Sequence, residues 1–537
     1  MANSLLSITA AAAVSSPIQL IFTLLLATLV SLLTIWIVRY NRRYKGLNLP
    51  PGPPGWPIVG NLFQLVHEAL VVKGTQFASR PAENTTRNIF SSNKFTVNSA
   101  VYGAEWRSLR RNMVSGMLST TRLREFRPTR NRAMDRFVER MRAEAAASAD
   151  GASVWVLRNA RFAVFCILLA MTFGLLDLDE DHVLRVDAVM KRVLLSVGAR
   201  MDDYLPFLRP LYARQQAKVL AVRREQVATL RPLIERRRAA LRERAATGRC
   251  SDAGAGAAAF SYLDSLLELR VEGREGPPTE EELVTLCSEF INGGTDTTAT
   301  AIEWAAARII DNPSIQARLQ AEIAERVGGQ RPVDERDTEG MPYLQAFVKE
   351  LLRKHPPTYF SLTHAAVQLA QLGGYDVPPD ANLEIFLPSI SEDPKLWDRP
   401  TDFDPDRFLT GGETGDMTGS SGIRMIPFGA GRRICPGLGM GTTHIALMIA
   451  RMVQAFEWRA HPSQPPIDFK DKVEFTVVMN QPLLAMSINV AFALQRAVCG
   501  SIFECGIAEQ RQQSVDAPPA SICMHATMEL SSENFSA

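Results

Sequence analysis

The sequence predicts a mostly α-helical fold with small peripheral β-sheets, behind a single N-terminal transmembrane helix. Three observations predict it. An uncharged apolar run of bilayer length stands near the start, helical patterns dominate residues 65 to about 270, and one capped pattern spans 279–311. Strand-like runs are short and late, at 374–377, 383–387 and 475–479.

The N-terminal helix comes first. No charged side chain precedes Arg39, and residues 18–38 form a 21-residue apolar run with only Gln19, Thr23, Thr28, Ser31 and Thr34 as mild interruptions. About 20 such residues span a bilayer as one helix. Arg39, Arg42, Arg43 and Lys45 then arrive together, and the positive-inside rule puts them, with all that follows, in the cytosol. A cleaved signal peptide is the alternative; it requires a positive n-region, which is missing, and a shorter apolar stretch. Residues 1–45 therefore read as a membrane anchor with a basic stop. Residues 46–64 read as a spacer, because Pro50, Pro51, Pro53, Pro54 and Pro57 fix the backbone and cannot continue a helix. A proline-rich ligand for another domain is the other reading of that stretch.

The catalytic part is placed at 65–489. Ala/Gly-rich stretches at 145–151 and 245–259 read as surface loops. Thr279 and Glu282, directly after Pro277 and Pro278, make a capping box. The helix they start ends at Asp311-Asn312-Pro313 and is roughly 50 Å long at 1.5 Å per residue. Residues 490–537 are rich in Ser, Glu and Gln and read as a disordered tail.

Bulk composition excludes other classes. Lys+Arg 59 against Asp+Glu 57 leaves a net charge of +2, which calls for no nucleic acid as partner. The seven cysteines are odd in number and form no CxxC pair. That argues against a zinc site or a disulfide framework and fits a reducing compartment.

The strongest chemical signal is residues 427–437, PFGAGRRICPG, which fit F-x-x-G-x-R-x-C-x-G at every fixed position. A buried structural cysteine is the plain alternative for any single thiol. The stretch resembles the cysteine loop of cytochromes P450, and four further motifs agree with that family in order and spacing. The resemblance implies a haem whose iron is held by Cys435. Phe428, Arg433 and Gly437 would lie against that cofactor, with Arg433 reaching a propionate. A thiolate on haem iron pushes electron density toward bound dioxygen and favours O–O cleavage. Glu350-Leu351-Leu352-Arg353 matches ExxR, whose i, i+3 charges share a helix face. With Arg407 in Phe403-Asp404-Pro405-Asp406-Arg407-Phe408, Glu350 and Arg353 would lock the cysteine loop.

Midway along the long helix, Gly293-Gly294-Thr295-Asp296-Thr297-Thr298 matches [AG]-G-x-[DE]-T-[TS]. Two glycines there cost roughly 1 kcal/mol each relative to Ala, which makes sense where the backbone loosens beside a ligand. Asp296 and Thr297 would stand over the iron and deliver protons; an Asp–Thr cluster at a helix break is the alternative. Trp106-x-x-x-Arg110 resembles the family's propionate-binding helix. His364 occupies a position where the family often has a propionate ligand, and a satisfied core histidine fits it as well. Thr358, Phe360 and Leu362 fall in substrate-contacting regions and imply a small apolar substrate.

Several segments resemble the plant subfamily numbered 77A: residues 77–84, 95–98, 354–364 and 435–440. That implies in-chain hydroxylation or epoxidation of fatty acids in cutin-type metabolism. It also implies electrons from NADPH through NADPH–cytochrome P450 reductase, and residence in the endoplasmic reticulum membrane. A haem-thiolate isomerase or dehydratase, and a catalytically impaired product, are the alternatives. The last is raised by the junction of Gln64 and Leu65, where the family has a helix and two strands. Their loss predicts a bare sheet edge.

Overall fold

The computed structural model describes residues 17–43, 45–49, 62–174, 179–198, 200–247, 260–329, 331–409 and 415–489. The proline spacer from Pro50 to Pro57, most of the 245–259 stretch and the 490–537 tail lie outside them. Among the described residues, ten helices reach ten residues: α1 (Pro17–Arg43), α2 (Ala104–Gly116), α3 (Arg127–Ala147), α4 (Val156–Phe173), α5 (Glu180–Ser196), α6 (Ala213–Thr247), α7 (Glu280–Asp311), α8 (Pro313–Val327), α9 (Pro342–Lys354) and α10 (Leu438–Ala455). The strands are β1 (Ser153–Trp155), β2 (His364–Ala365), β3 (Ala370–Leu372), β4 (Tyr375–Val377), β5 (Asn382–Leu383), β6 (Phe456–Ala460), β7 (Asp471–Val473), β8 (Val477–Met479) and β9 (Leu484–Asn489). The mostly α fold with small sheets is as expected. The chain divides into two compact units, Met1–Pro81 with Leu362–Ile385, and Ala82–Ser361 with Phe386–Ala537.

In the smaller unit, α1 has 27 residues, about 40 Å of helix. Phe22, Leu25 and Leu29 are more than 60 % exposed. The Thr28 and Thr34 hydroxyls donate to the Leu24 and Val30 carbonyls, so these polar groups are satisfied inside the helix. The chain leaving α1 is tied to the β3–β4 hairpin. Arg43 pairs with Asp380 at 3.2 Å, the Asn48 N–H donates to Asp376 at 2.8 Å, and the Asp376 N–H donates to the Asn48 carbonyl at 2.8 Å.

The edge expected to be bare is paired. β2 takes β5 on one side; on the other, Ser79 and Ala365 exchange two hydrogen bonds of 3.2 and 3.0 Å. Val367 donates to the Gln76 carbonyl at 2.8 Å, and Lys73 Nζ donates to the Gln371 carbonyl at 2.7 Å. Three expected boundaries shift. The 383–387 strand shrinks to β5 because Leu387 already has helical angles ahead of Pro388. The 475–479 strand starts at Val477 because residues 474–476 form the β7–β8 turn. In the 145–151 stretch, α3 continues to Ala147.

The larger unit is built around α7. The Thr279 N–H donates to Glu282 Oε2 at 2.7 Å and Thr279 Oγ1 accepts from the Glu282 N–H, closing the expected capping box. Asn312 and Pro313 end the helix and start α8. Trp304 Nε1 donates to the Val477 carbonyl at 2.9 Å, so α7 carries β8 with it. α4 is apolar and long enough to cross a bilayer, yet 83 % of it is buried, which makes it a core helix. β1, β9 and β6 form an antiparallel sheet in that order.

Removing residues 1–45 is expected to release the protein from membranes in large part, since α1 carries the exposed apolar length. Fractionation of full-length and truncated chains checks it; identical partitioning would remove α1 as the main anchor.

Candidate functional site

The cysteine loop precedes α10 and folds back on itself. The Cys435 N–H donates to the Phe428 carbonyl at 2.8 Å. The Gly437 N–H is directed at the Cys435 sulfur, and a Cβ on Gly437 would stand 3.7 Å from that sulfur. Burial pushes the Cys435 thiol up; the Gly437 N–H and the Arg110 guanidinium pull the other way. The Phe428 ring would be 3.5 Å from a Cβ on Gly441, where the loop enters α10.

α7 passes this loop at its two glycines, and it is unbroken there. The glycines differ. A Cβ on Gly294 would be 3.0 Å from Leu168 Cδ1 of α4 and 3.6 Å from Met440 Cε. The same Met440 methyl would be 3.9 Å from a Cβ on Gly437, so the helix and the cysteine loop meet there. Gly293 is exposed in an otherwise buried stretch, and a Cβ on it would meet nothing within 4 Å. Gly294 therefore serves packing, while Gly293 leaves open space on its own face of the helix.

The structure separates Asp296 from Thr297. Thr297 Oγ1 donates to the Gly293 carbonyl at 2.9 Å and so shares that open side. Asp296 turns toward α4 and α5, where Arg161 pairs with it. Arg161 also holds Asp187 by bonds of 3.0 and 2.8 Å. Burial pushes the Asp296 carboxyl up against the pull of Arg161. Its second oxygen has no partner among the described residues. Asp296, Arg161, Lys191, Thr300 and Glu474 line a cavity of about 40 Å³, enough for a water. Arg161 escaped the sequence reading, although an Arg directly ahead of the apolar run 162–173 of α4 was the signal for it.

On the other edge, Trp106 is buried on α2 with Arg110 one turn on. Trp106 Nε1 and Arg433 Nη1 both donate to the Val97 carbonyl, at 3.1 and 3.0 Å. Arg433 stacks 4.5 Å over the indole. Arg110 makes no hydrogen bond among the described residues. These residues fit haem: one thiol whose sulfur accepts the Gly437 N–H, the Arg110 and Arg433 guanidinium donors with the Trp106 indole beneath Arg433, and an open helix face at Gly293.

Glu350, Arg353 and Arg407 meet as expected. Arg353 grips Glu350 with two bonds of 2.7 Å, and Arg407 Nε lies 3.1 Å from Glu350. Arg353 and Glu350 are wholly buried. His364 belongs to the smaller unit, buried, with Nδ1 2.9 Å from the Phe77 carbonyl. Thr358 is half-buried; Phe360 is half-exposed and packs on Phe386 at 5.2 Å. Leu362 is exposed in the smaller unit. A cleft of about 830 Å³ lined by Arg136, Arg140, Trp155 and Glu180 contains none of these residues.

Comparison with known proteins adds family information. The cytochrome P450 family model matches residues 61–488. Cytochrome P450 89A9 of Arabidopsis thaliana is 30 % identical over 492 residues, covering 81 % of this chain and 93 % of that protein. The flavonoid 3'-monooxygenase of the same plant is 30 % identical over 486 residues, 82 % of this chain and 91 % of its own length. An ent-isokaurene C2/C3-hydroxylase of Oryza sativa subsp. japonica is 28 % identical over 486 residues, 82 % and 92 % respectively. A zebra fish cytochrome P450 solved with progesterone superposes with a TM-score of 0.65 at 23 % identity, covering 84 % of this chain and 99 % of that one.

Glycine-to-alanine changes separate the two glycines. Alanine gains about 1 kcal/mol in a helix interior, and overpacking costs about 1–3 kcal/mol. G293A is therefore expected to raise the melting temperature by roughly 1–3 °C. G294A is expected to lower it, because its methyl enters Leu168. Thermal melts decide it; a G294A as stable as G293A would mean that the α4–α7 approach is slack.

Proposed function

The chain belongs to the cytochrome P450 family, a haem enzyme family whose electrons come from a redox partner, and from that premise we propose the roles of its residues and its substrate. The chain is an oxidoreductase of the P450 monooxygenase family. In our reading Cys435 is the iron ligand, and the observation that carries it is the Gly437 N–H directed at its sulfur. Bound haem-thiolate supplies dioxygen activation and O–O cleavage.

The chain's own groups divide the remaining work. Arg110, Trp106 and Arg433 hold the propionate edge, and His364 is a further haem-binding candidate on the family resemblance alone. Glu350, Arg353 and Arg407 keep the cysteine loop in place. Thr297, back-bonded to Gly293, holds a proton at Oγ1 on the open side. Asp296 exchanges protons with the small chamber beside Arg161 and Lys191, its raised carboxyl favouring uptake nearer neutrality. The substrate is a small apolar molecule, and the segments resembling the 77A subfamily favour a fatty acid oxidised in-chain. The named relatives act on chemically varied targets, so the fatty acid rests on those segments and on the exposed Phe360 and Phe386 rings. NADPH–cytochrome P450 reductase is the electron donor in this reading. The basic residues closing α1, Arg39, Arg42 and Arg43, support a site on the cytosolic face of the endoplasmic reticulum.

C435S is expected to lose the thiolate band of the ferrous–CO spectrum and all turnover, since a neutral hydroxyl ligates this iron poorly. A retained band would assign the iron to another residue, and a wild-type chain with no band would be the impaired product. A long-chain fatty acid should displace the resting Soret band of the wild type; an unmoved band would remove that substrate class.

T297A is expected to keep the CO spectrum and to release several-fold more peroxide per NADPH, because the positioned hydroxyl is gone. Coupling equal to wild type would take Thr297 out of proton delivery. It would also favour the hydroperoxide isomerase reading, which needs no such pair.

A further inference from the structure

The loop between α2 and the preceding helical turn is strained and tightly held. Ser92, Asn93 and Lys94 have φ of 48°, 58° and 70°. Such a run of non-glycine residues persists only where its surroundings over-determine it. α7 supplies those surroundings. Ser92 and Thr285 share a hydrogen bond of 2.7 Å, and Arg223 of α6 donates to Thr285 at 2.8 Å and to the Glu281 carbonyl at 3.0 Å. One turn further along, the Glu289 carboxylate accepts the Val97 N–H at 3.0 Å and the Asn98 N–H at 2.6 Å.

The Asn98 N–H and the Val97 carbonyl belong to one peptide group. That carbonyl accepts from Trp106 Nε1 and Arg433 Nη1, while Arg433 Nη2 reaches the Ala100 carbonyl at 2.5 Å. A carboxylate thus sits at one end of the peptide dipole and a guanidinium at the other. Charge-assisted bonds in such a chain strengthen one another. Burial and Glu83 push the Glu289 carboxyl up to about 7, against the two N–H groups and Arg433. None of the roles assigned above uses this acid.

We propose that Glu289 is a positioning residue for the cofactor: through the Val97–Asn98 peptide, which also holds the Trp106 indole, it fixes where Arg433 presents its remaining donors to a haem propionate. The proposal rests on the reading of Arg433 as a propionate ligand, so its test includes a variant of Arg433.

The measurement is haem release from the loaded full chain to apomyoglobin, followed at the Soret band, in wild type, E289Q, S288A and R433L. E289Q keeps the size but turns an amide donor toward one of two N–H donors, and roughly tenfold faster release is expected from losing a charged hydrogen bond. S288A removes the hydroxyl that Gln226 bonds at 2.7 Å, a comparable buried loss facing α6, and should release haem at nearly the wild-type rate. R433L should release at least as fast as E289Q. A wild-type rate in R433L would overturn the propionate reading itself. Fast release in R433L with a wild-type rate in E289Q would overturn the role of Glu289 alone. S288A matching E289Q would mean general loosening of α7 and would also overturn it. Should E289Q not load haem, E289D is measured the same way; a rate faster than S288A supports the proposal, and a rate equal to it overturns it.

Discussion

The larger unit depends on a charge cluster that water does not reach. Glu350 and Arg353 are fully buried and Arg407 nearly so. Isolated, each would carry a desolvation cost of several kcal/mol, and removing one partner from such a cluster costs about 3–5 kcal/mol. Here nearly everything is satisfied. Besides Glu350, Arg353 bonds the Ser391, Pro400 and Asp402 carbonyls at 2.8 to 2.9 Å. Glu350 also takes the Asp404 N–H at 2.8 Å, and Arg407 takes the Asp398 carbonyl at 2.9 Å. The chain from 391 to 407 has almost no regular structure of its own, so these bonds stand in for a sheet or helix ladder. The reach extends further: the Arg353 guanidinium lies 5.3 Å over Trp397, whose Nε1 donates to the Arg424 carbonyl at 3.2 Å. Arg424 leads directly into the cysteine loop.

α7 is the second constraint, and it works by dividing its faces. Its middle turn sends Thr297 to the open side and Asp296 to Arg161, consecutive residues about 100° apart around the helix. One turn that holds the Thr297 hydroxyl on the open side of Gly293 thereby also lines a water-sized chamber with Asp296. Glu289, two turns earlier, faces the loop that carries Val97. Met440, at the start of α10, meets the same helix from below the glycines. Four contacts on one rigid rod keep their spacing without any loop having to be ordered for the purpose.

What was legible follows from range in sequence. The capping box, ExxR, the cysteine loop and Trp106–Arg110 are local patterns whose geometry is set within a few residues, and each lies where its spacing puts it. Asp296 and Thr297 were legible as a pair, but their separation was not, because it depends on Arg161 from a helix 135 residues earlier. The Val97–Asn98 contact with Glu289, across about 190 residues, was out of reach for the same reason. Strand ends were misplaced where a local turn overrode β-propensity, at Leu387 and at 474–476. His364 shows the limit from the other side: its burial and its Phe77 contact fit a core histidine, and no spacing rule distinguishes that from a ligand.

The smaller unit shows that hydrogen bonding and apolar burial can be repaired separately. The junction after Gln64 predicts lost strands, and the backbone has answered it: Ser79 and Gln76 pair with the outer edge of β2, and Lys73 reaches β3. Unpaired ladder groups invite association, so this closure removes the most direct hazard. Apolar cover is another matter. The unit's core is small, with Ala69, Phe77, Ala366, Ala370, Leu372 and Val377 buried, while Val72, Leu362, Val367 and Leu369 are each at least 50 % exposed. At about 25 cal/mol per Å² of apolar surface, a few such side chains amount to several kcal/mol of burial not collected, a large share of a typical 5–15 kcal/mol margin. The residues proposed to face haem, on α2, α7 and the cysteine loop, and the Glu350–Arg353 pair of α9 belong to the larger unit and its separate core. A shortened peripheral sheet therefore weakens the unit that carries α1 before it touches the unit that carries Cys435.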